Sequence, residues 1–355
     1  MKLQDLGYSS ILEKYREEQD LNQFSVGRVI SEHKDRYVVK SENGDFDAEL
    51  IGNLRFTAED KHDFPAVGDW VAFSEFDEDK ALIHHIYPRQ SVIERQAVGK
   101  FGQKQIIATN IDYGLIVQAV DNNFNVNRLE RYLTICNTSH VKPIIILNKI
   151  DLIDESQLET IVSKISERIK HVQIFATSNQ TIAGHNELQS IIKSGNTYCL
   201  LGSSGVGKST LLNSISGKEL MKTGSISMKL GKGKHVTSHR ELIILENGGI
   251  IIDNPGMREV GIADSTDGIE ITFDIIFELS TECKYKDCMH INEKGCAILE
   301  AIEKGDIEKD LYDNYQKMMR EKQHFESTIM EKRKKDRDFG KMIKKHKKAR
   351  KHHKY

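Results

Sequence analysis

The sequence predicts a multi-domain protein: a small all-β barrel, then an α/β domain, then a mainly helical, metal-binding domain with a basic tail. Three observations predict this order. Short strand candidates separated by turn residues fill the first hundred residues, apolar strand–loop–helix segments follow, and three cysteines with one histidine cluster near residue 290. A length of 355 residues exceeds a single core and fits two or three domains.

The N-terminal strand candidates have the spacing of a small closed all-β domain, which we assign to residues 24–104. Turn residues such as those at 42–45 separate the candidates. Residues 1–23 are charged and partly helical in pattern, so we expect an extension outside the barrel. The five strand candidates are residues 25–30, 36–40, 47–51, 70–73 and 81–86.

A G-x-x-x-x-G-K-S loop lies between an apolar strand that ends at Leu201 and a helix that begins at about Ser209. Such a loop directs backbone N–H groups and the positive end of a helix at a polyphosphate. Lys208 is expected to reach the β- and γ-phosphates, and Ser209 to ligate Mg²⁺. A glycine-rich loop without nucleotide is the alternative. The predicted phosphate-binding residues are Gly202, Ser203, Ser204, Gly205, Val206, Gly207, Lys208, Ser209 and Thr210.

An N-K-x-D motif closes the apolar strand 143–147, upstream of the phosphate loop. The aspartate of such a motif accepts hydrogen bonds from the two N–H donors on the Watson–Crick edge of guanine, a pair that adenine lacks. A second apolar strand, 172–176, leads to a serine that could also lie against the base. We therefore predict GTP rather than ATP as the ligand. The predicted base-binding residues are Asn148, Lys149, Ile150, Asp151 and Ser178.

Two further segments are predicted to meet the γ-phosphate and its metal ion. The buried strand 248–252 delivers Asp253, whose carboxylate fits a Mg²⁺ ligand, and Gly256, whose N–H would face the γ-phosphate. Upstream of them, Thr237 is the predicted Mg²⁺ ligand of a first switch loop, with Ser238 as the alternative.

The catalytic residue is the least determined part of the predicted site. Many GTPases place a water-orienting glutamine directly after the glycine of the second switch, but this chain has Met257 there. Because an apolar side chain cannot activate water, we expect slow intrinsic turnover. His235 is the best candidate to complete the site, and contact with RNA or phosphate is its alternative role.

The order of these motifs predicts a circular permutation within residues 105–276. The base-reading motif comes first, then the phosphate loop, then the two switch segments. In ordinary small GTPases the base-reading motif comes last. Termini of compact domains often lie close together, so a permuted chain can keep the same site in space.

A Cys-x4-Cys-x-His-x5-Cys cluster predicts one closed, structural zinc site in a domain at residues 277–330. The chain has five cysteines, and Cys136 and Cys199 lie in apolar stretches typical of buried core. We find no signal peptide or membrane-spanning apolar run, so we expect a reducing cytoplasm and no disulfides. The predicted zinc ligands are Cys283, Cys288, His290 and Cys296.

The C-terminal tail carries most of the positive charge. Residues 331–355 contain thirteen Lys and Arg against three Asp and Glu, whereas residues 1–330 have a net charge of −12. With few apolar residues, the tail is predicted to be disordered, or helical only on a partner. Counterion release favours RNA as that partner, and a solvated tail that only aids solubility is the alternative.

Together these motifs resemble the RsgA (YjeQ/YloQ) family of ribosome small subunit-dependent GTPases, over about residues 24–320. The likeness rests on GSSGVGKST, NKID, DNPG, GKHVTSHREL and the Cys/His cluster. It implies an N-terminal OB-fold barrel, a permuted GTPase domain and a zinc domain. The barrel is expected to bind RNA, and a purely structural role is the alternative. Two departures are Ser203, where the family commonly has Gln, and Val236, in a stretch usually written with three threonines.

The resemblance implies a GTP hydrolase that acts late in maturation of the 30S subunit. We expect binding to 30S particles and 16S rRNA, GTP and GDP as ligands, Mg²⁺ with GTP and one structural Zn²⁺. We also expect a cytoplasmic protein that has no membrane partner and is monomeric off the ribosome. An RNA-binding assembly scaffold that uses GTP mainly as a structural ligand is the alternative, favoured by Met257 and the basic tail.

Overall fold

The computed structural model describes residues 1–33, 36–58, 60–96, 104–121, 124–217, 240–253 and 266–352. These residues form two compact units. The first lies within Met1–Glu94, Ile106–Val260 and Asp267–Asp274, and the second within Arg95–Gln105, Gly261–Thr266 and Ile275–Tyr355. The barrel and the α/β domain thus fall in one unit. The domain limits assigned from the sequence stay predictions.

The N-terminal barrel is closed, and its five predicted strands are confirmed. Strand β1 pairs with both β2 and β4, which gives the order β1-β2-β3-β5-β4 and back to β1. All neighbours are antiparallel except β3 and β5, which are parallel. This matches the five-stranded Greek-key barrel of the OB fold. The strands are β1 (Ser25–His33), β2 (Arg36–Ser41), β3 (Asp45–Leu50), β4 (Trp70–Asp77) and β5 (Lys80–Ile86), and helix α2 (Gly52–Thr57) follows β3.

The N-terminal extension packs on the barrel. It consists of a 3-10 turn at Leu3–Leu6 and helix α1 (Ser10–Glu18). Leu6 and Leu12 are buried in a cluster with Trp70, and the ring of Tyr8 meets Trp70 edge to face at 5.0 Å between centroids. Burial of these side chains makes the extension part of the first unit.

The α/β domain is built on a mostly parallel sheet in the order β10-β9-β8-β11-β13-β12. Only β12 runs antiparallel to its neighbour β13. The remaining strands are β6 (Val92–Gln96), β7 (Lys104–Thr109), β8 (Tyr113–Ala119), β9 (Lys142–Asn148), β10 (Gln173–Thr177), β11 (Thr197–Leu201), β12 (Glu241–Ile244) and β13 (Ile250–Asp253). Strands β6 and β7 form a separate two-stranded sheet.

Helices cover both faces of this sheet. Alternate residues of one strand enter different buried clusters: Ile145 packs with helices α3 and α4, whereas Ile144 and Ile146 pack with helices α5 and α6. Burial on both faces explains why these strands are continuously apolar. The helices are α3 (Val126–Thr138), α4 (Glu155–Arg168), α5 (His185–Ile191), α6 (Lys208–Ser216) and α7 (Thr266–Thr272).

The sheet continues from the α/β domain into the barrel. Strand β12 pairs antiparallel with β1, where Ser31 lies opposite Glu241. Arg240 Nη1, just before β12, also lies 4.0 Å from Glu32 Oε2 on β1. The barrel and the nucleotide-binding half of the chain are therefore joined by backbone hydrogen bonds as well as by the connecting segment.

The second unit is helical around the cysteine cluster. It contains α8 (Asp274–Ser280), α9 (Ala297–Lys304) and α10 (Lys309–His352). Leu311, Met318 and Phe325 on α10 are buried at intervals of seven residues, two helical turns apart. The tail, predicted to be disordered or helical only on a partner, continues α10 as a helix through residues 331–352. Lys, Arg, Met and Ala are good helix formers, and they extend a helix that already has a packed start.

Across the described part of the chain, no helix combines the length and apolar character needed to cross a bilayer.

Candidate nucleotide site and metal centre

Four predicted site segments meet at one edge of the parallel sheet. Strands β9, β10, β11 and β13 run in the same direction, because β9 pairs parallel with β8 and β10, and β11 pairs parallel with β8 and β13. Their last residues are Asn148, Thr177, Leu201 and Asp253. The carboxyl edge of such a sheet is where doubly wound folds bind their ligands. The structure therefore brings the base motif, the phosphate loop and the acidic residue together.

The phosphate loop joins β11 to α6 and lies close to its neighbours at two glycines. A Cβ on Gly202 would come 2.3 Å from the carbonyl oxygen of Val117, and one on Gly207 would come 2.3 Å from Asn148 Nδ2. Both glycines have positive φ, 142° and 96°, which side chains disfavour. The loop backbone can take this path only because these residues have no side chain.

Lys208 lies in the first turn of α6 and folds over the loop. Its Nζ donates to the carbonyl oxygens of Gly202 and Ser203, both at 2.7 Å. Burial lowers the pKa of this amine, and the charge of Asp253 acts in the opposite direction. A partly desolvated cation held against carbonyl oxygens gains favourable interactions when a polyphosphate enters the loop.

Asp253 and Ser209 carry side-chain oxygen atoms close to the phosphate loop. Asp253 ends β13 and is only 3 % exposed, and Ser209 is half-buried in the first turn of α6. A carboxylate and a hydroxyl are oxygen ligands, the type that Mg²⁺ prefers. The donor set therefore fits the Mg²⁺ that accompanies GTP in this class of enzyme.

The base motif is tied to the phosphate loop through Asn148. This side chain is fully buried, and its Nδ2 donates to the carbonyl oxygen of Val206 at 2.8 Å. Its Oδ1 accepts from Thr177 Oγ1 at 3.3 Å. Within the described residues, Asn148 thus contacts protein on both sides of its amide. Asn148 therefore connects the phosphate loop to the end of β10.

Asp151 and Ser178, predicted from separate segments, are in contact. Ser178 Oγ donates to Asp151 Oδ1 at 2.5 Å and accepts from the backbone N–H groups of Gln180 and Thr181. Ser178 is fully buried, whereas Asp151 sits in an exposed 3-10 turn. The hydroxyl orients the carboxylate and leaves oxygen lone pairs available for donors on a base.

Sequence reasoning missed two polar residues at this edge. Asn179 Nδ2 donates to the carbonyl oxygen of Gly207 at 3.2 Å, and Asp121 Oδ2 lies 3.3 Å from Lys149 Nζ. An asparagine two residues after the end of β10 is the available signal for the first. Lys149 itself has a left-handed backbone, with φ of 65°.

Three predicted residues lie outside the described part of the chain: His235, Thr237 and Gly256. The alternative ligand Ser238 and the unusual Met257 lie outside it as well. Their roles remain predictions from the sequence.

The four predicted zinc ligands converge in the second unit. One ligand atom from each residue lies within 4.8 Å of the other three. Cys283 Sγ is 3.6 Å from His290 Nδ1 and 3.9 Å from Cys296 Sγ, and Cys296 Sγ is 3.5 Å from His290 Nδ1. A tetrahedral zinc with Zn–S of about 2.3 Å and Zn–N of about 2.0–2.1 Å sets S–S edges of about 3.8 Å and S–N edges of about 3.5 Å. These distances match the edges of a zinc tetrahedron.

Backbone contacts hold the loop that carries His290. Glu293 accepts from the N–H groups of Met289, Ile291 and Asn292 at 2.8 to 3.0 Å, and Tyr312 on α10 donates to the carbonyl oxygen of His290. Contacts of this kind, made around a metal ligand, fix the orientation of the ligand side chain. The four residues that can hold the zinc ion are Cys283, Cys288, His290 and Cys296.

Burial raises the pKa of the Cys296 thiol to about 11. A thiolate at that position therefore needs compensating positive charge, which a divalent cation supplies. Three thiolates and one imidazole fill all four tetrahedral positions, so the centre is structural rather than catalytic.

Two family models match the chain. The one described as "RsgA GTPase" matches residues 86–263, and the one described as "50S ribosome-binding GTPase" matches residues 197–335. The first covers half of the chain and spans all the nucleotide motifs named above.

Curated relatives match over nearly the whole length. "Small ribosomal subunit biogenesis GTPase RsgA 1" of Bacteroides thetaiotaomicron is 38% identical over 342 residues, which are 95% of this chain and 94% of the relative. The protein of the same name from Listeria innocua is 41% identical over 322 residues, 90% of this chain and 89% of the relative.

Two solved structures share the fold. YjeQ from Thermotoga maritima superposes with a TM-score of 0.62 and 26% identity, covering 84% of this chain and 98% of the other. YloQ, described as a circularly permuted GTPase, gives a TM-score of 0.59 and 25% identity, covering 84% and 94%. With the permuted motif order and the length of these matches, the chain belongs to the RsgA family of GTPases.

Proposed function

We propose that this GTPase acts late in maturation of the 30S ribosomal subunit, binds 16S rRNA there, and hydrolyses GTP faster when it is bound. The observation that carries the proposal is the single sheet edge shared by the base motif, the phosphate loop and Asp253. The named small-subunit biogenesis role of relatives that match about nine-tenths of the chain supports the choice of partner.

Each described residue has a proposed role in binding GTP. Asp151, oriented by Ser178, accepts from the guanine N–H donors. The N–H groups of the phosphate loop and the amine of Lys208 bind the phosphates. Ser209 and Asp253 hold Mg²⁺, directly or through water.

When bound, Mg²⁺ neutralises charge on the β- and γ-phosphates. Thr237 and the Gly256 N–H are proposed to complete the γ-phosphate end of the site, and His235 to act in catalysis. Met257 occupies the usual glutamine position, and its apolar side chain cannot orient the attacking water. Slow intrinsic turnover and stimulation by the subunit follow from that substitution.

Three parts of the chain are proposed to meet rRNA: the barrel, the zinc unit and the basic end of α10. The last 25 residues carry thirteen Lys and Arg, and phosphate neutralisation by such a segment is independent of base sequence. Ribosomal subunits as partners imply action in the cytoplasm. We propose a monomer when the protein is off the ribosome.

Turnover measured with and without purified small subunits tests this function. The proposal requires GTP hydrolysis that rises when 30S particles are added, and binding to those particles that is tighter with a non-hydrolysable GTP analogue than with GDP. Cosedimentation in the two nucleotide states measures the second. Equal turnover with and without subunits would exclude a subunit-stimulated enzyme.

An RNA-binding scaffold that holds GTP as a structural ligand is the second candidate. Met257 and the basic tail are the observations that favour it. The scaffold requires subunit binding without stimulated hydrolysis, so the same pair of measurements separates it from the enzyme.

A further inference from the structure

Asn179 touches the phosphate loop although no motif predicts it. It follows Ser178 directly after β10, and its Nδ2 donates to the carbonyl oxygen of Gly207 at 3.2 Å. The reversed amide would place Oδ1 against that carbonyl oxygen, which also only accepts hydrogen bonds. The contact therefore assigns Nδ2, the donor, to the loop.

Asn148 makes a similar contact with the preceding loop residue, Val206. Its Nδ2 donates to the carbonyl oxygen of Val206 at 2.8 Å. Two amides, from the ends of the adjacent strands β9 and β10, thus bind two consecutive loop carbonyls. A Cβ on Gly207 would lie 2.3 Å from Asn148 Nδ2 and 2.8 Å from Asn179 Nδ2, so both amides pack directly on the loop backbone.

Each bound carbonyl orients an N–H group. A peptide unit is planar, and its C=O and N–H point in opposite directions. The Val206 carbonyl shares a peptide with the N–H of Gly207, and the Gly207 carbonyl shares one with the N–H of Lys208. These N–H groups, at the start of α6, are among those that such a loop points at phosphate. Binding the carbonyls on the outer side therefore aims the N–H groups inward.

We propose that Asn179 is a positioning residue that, together with Asn148, presets the N–H groups of Gly207 and Lys208 for the β-phosphate. The loops that read the base thereby also set the affinity for the phosphate. The inference rests on the nucleotide site described under the proposed function and deepens it. Asn179 acts through the loop backbone, by its hydrogen bond to the Gly207 carbonyl oxygen.

Equilibrium binding of GDP and GMP to Asn179→Ala tests this role. The loss of one oriented hydrogen bond should weaken GDP by about three- to tenfold, the effect of a typical net hydrogen bond. GMP lacks the β-phosphate, so its affinity should stay that of the parent. Gln180→Ala, one residue along the same loop and exposed, is the matched control and should bind both nucleotides normally.

Asn179→Asp keeps the size of the side chain and removes the donor. It should weaken GDP at least as much as alanine does, and it gives the answer if the alanine variant does not fold. Unchanged GDP binding in both variants would overturn the proposal. Equal weakening of GDP and GMP would overturn it too, because a general disturbance of the loop around Ser178 acts on both.

Lys208→Ala separates this inference from the site on which it rests. If Lys208→Ala binds GDP like the parent, the nucleotide site itself is wrong. If Lys208→Ala loses GDP while Asn179→Ala retains it, the site stands and only the positioning role fails.

Discussion

The guanidinium of Arg28, in barrel strand β1, donates to Thr197 Oγ1 at 2.9 Å, where the strand that leads to the phosphate loop begins. The same group donates to the carbonyl oxygens of Leu6, Gly68 and Asn110 at 2.6 to 3.1 Å. Arg28 is 1 % exposed. One buried side chain thus joins the N-terminal extension, the barrel and the α/β domain.

Replacing Arg28 with Ala should lower the free energy of unfolding by about 3 kcal/mol or more, because several buried carbonyl oxygens lose their donor at once. Burial lowers the pKa of Arg28 to about 10, which leaves it charged at neutral pH. Urea unfolding measures the change. Arg36→Ala, which removes an exposed pairing with Glu49, is the control and should cost less than about 1 kcal/mol. Equal losses would show that the buried contacts contribute nothing extra.

Base specificity should depend on Asp151. In Asp151→Asn an amide donor faces the guanine N–H groups, which should weaken GTP binding by roughly 1 to 3 kcal/mol or more. Xanthosine triphosphate presents an acceptor there and should regain affinity. Competition binding measures the affinities for GTP and xanthosine triphosphate. The control Glu155→Gln, at an exposed acidic neighbour, should change neither affinity. An Asp151→Asn variant that binds GTP as tightly as the parent contradicts the base assignment.

Phosphate chemistry should depend on Lys208 and Ser209. Lys208→Ala removes the positive charge that binds the phosphates, and Ser209→Ala removes a direct Mg²⁺ ligand. Both variants should therefore lose GTP turnover while the domain stays folded. GTP hydrolysis and circular dichroism, measured together, check this. Ser190→Ala, an exposed hydroxyl, should hydrolyse GTP like the parent. Mg²⁺-dependent turnover that survives in Ser209→Ala would rule out the assigned metal ligand.

The sequence predicts which segments meet at one sheet edge where a short motif ends a buried strand. Asp151, Lys208 and Asp253 follow apolar runs, and parallel strands bring such ends to one edge. Arg28 and Asn179 could not be found in this way. The partners of Arg28 lie 22 to 169 residues away, and the partner of Asn179 lies 28 residues away. They are a threonine hydroxyl and main-chain carbonyl oxygens, which leave no pattern in the sequence.

Strand β12 and the helical tail are two features that the sequence does not show clearly. Strand β12 (Glu241–Ile244) has four residues, too few to show a period, and its pairing with β1 is a long-range contact. The tail is predicted to be disordered, or helical only on a partner, because it has few apolar residues. Composition measures whether a segment can bury a core, but a helix needs only good propensity and a stable start, which α10 has.

Removing one zinc ligand should unfold the second unit locally. His290→Ala leaves three ligands, and metal binding energy is folding energy in such small modules, so the region after about Ser280 should become protease-sensitive. The parent should hold about one equivalent of zinc per chain and lose it, with its protease protection, on chelation. Met289→Ala, an exposed neighbour, should retain both. A folded, protease-resistant His290→Ala protein without metal would refute a structural zinc.

Deleting residues 331–355 should weaken binding to small subunits and flatten its dependence on salt. If about half of the thirteen Lys and Arg meet phosphates, each contact adds roughly 0.7 to 0.9 to the slope of log affinity against log salt. GTP affinity should stay unchanged, because every nucleotide motif lies before residue 260. Subunit binding across a salt series, for the full and truncated chains, measures the difference.

A full-length chain with four lysines of α10 changed to Gln separates charge from length. Glutamine has a helix propensity close to that of lysine, so the helix should persist while four charges are lost. The slope should fall partway toward that of the truncated chain, by roughly 0.7 to 0.9 for each lysine that meets a phosphate. Slopes identical to the parent in both variants would mean that the tail does not contact RNA and serves only solubility. The four positions are Lys344, Lys345, Lys347 and Lys348.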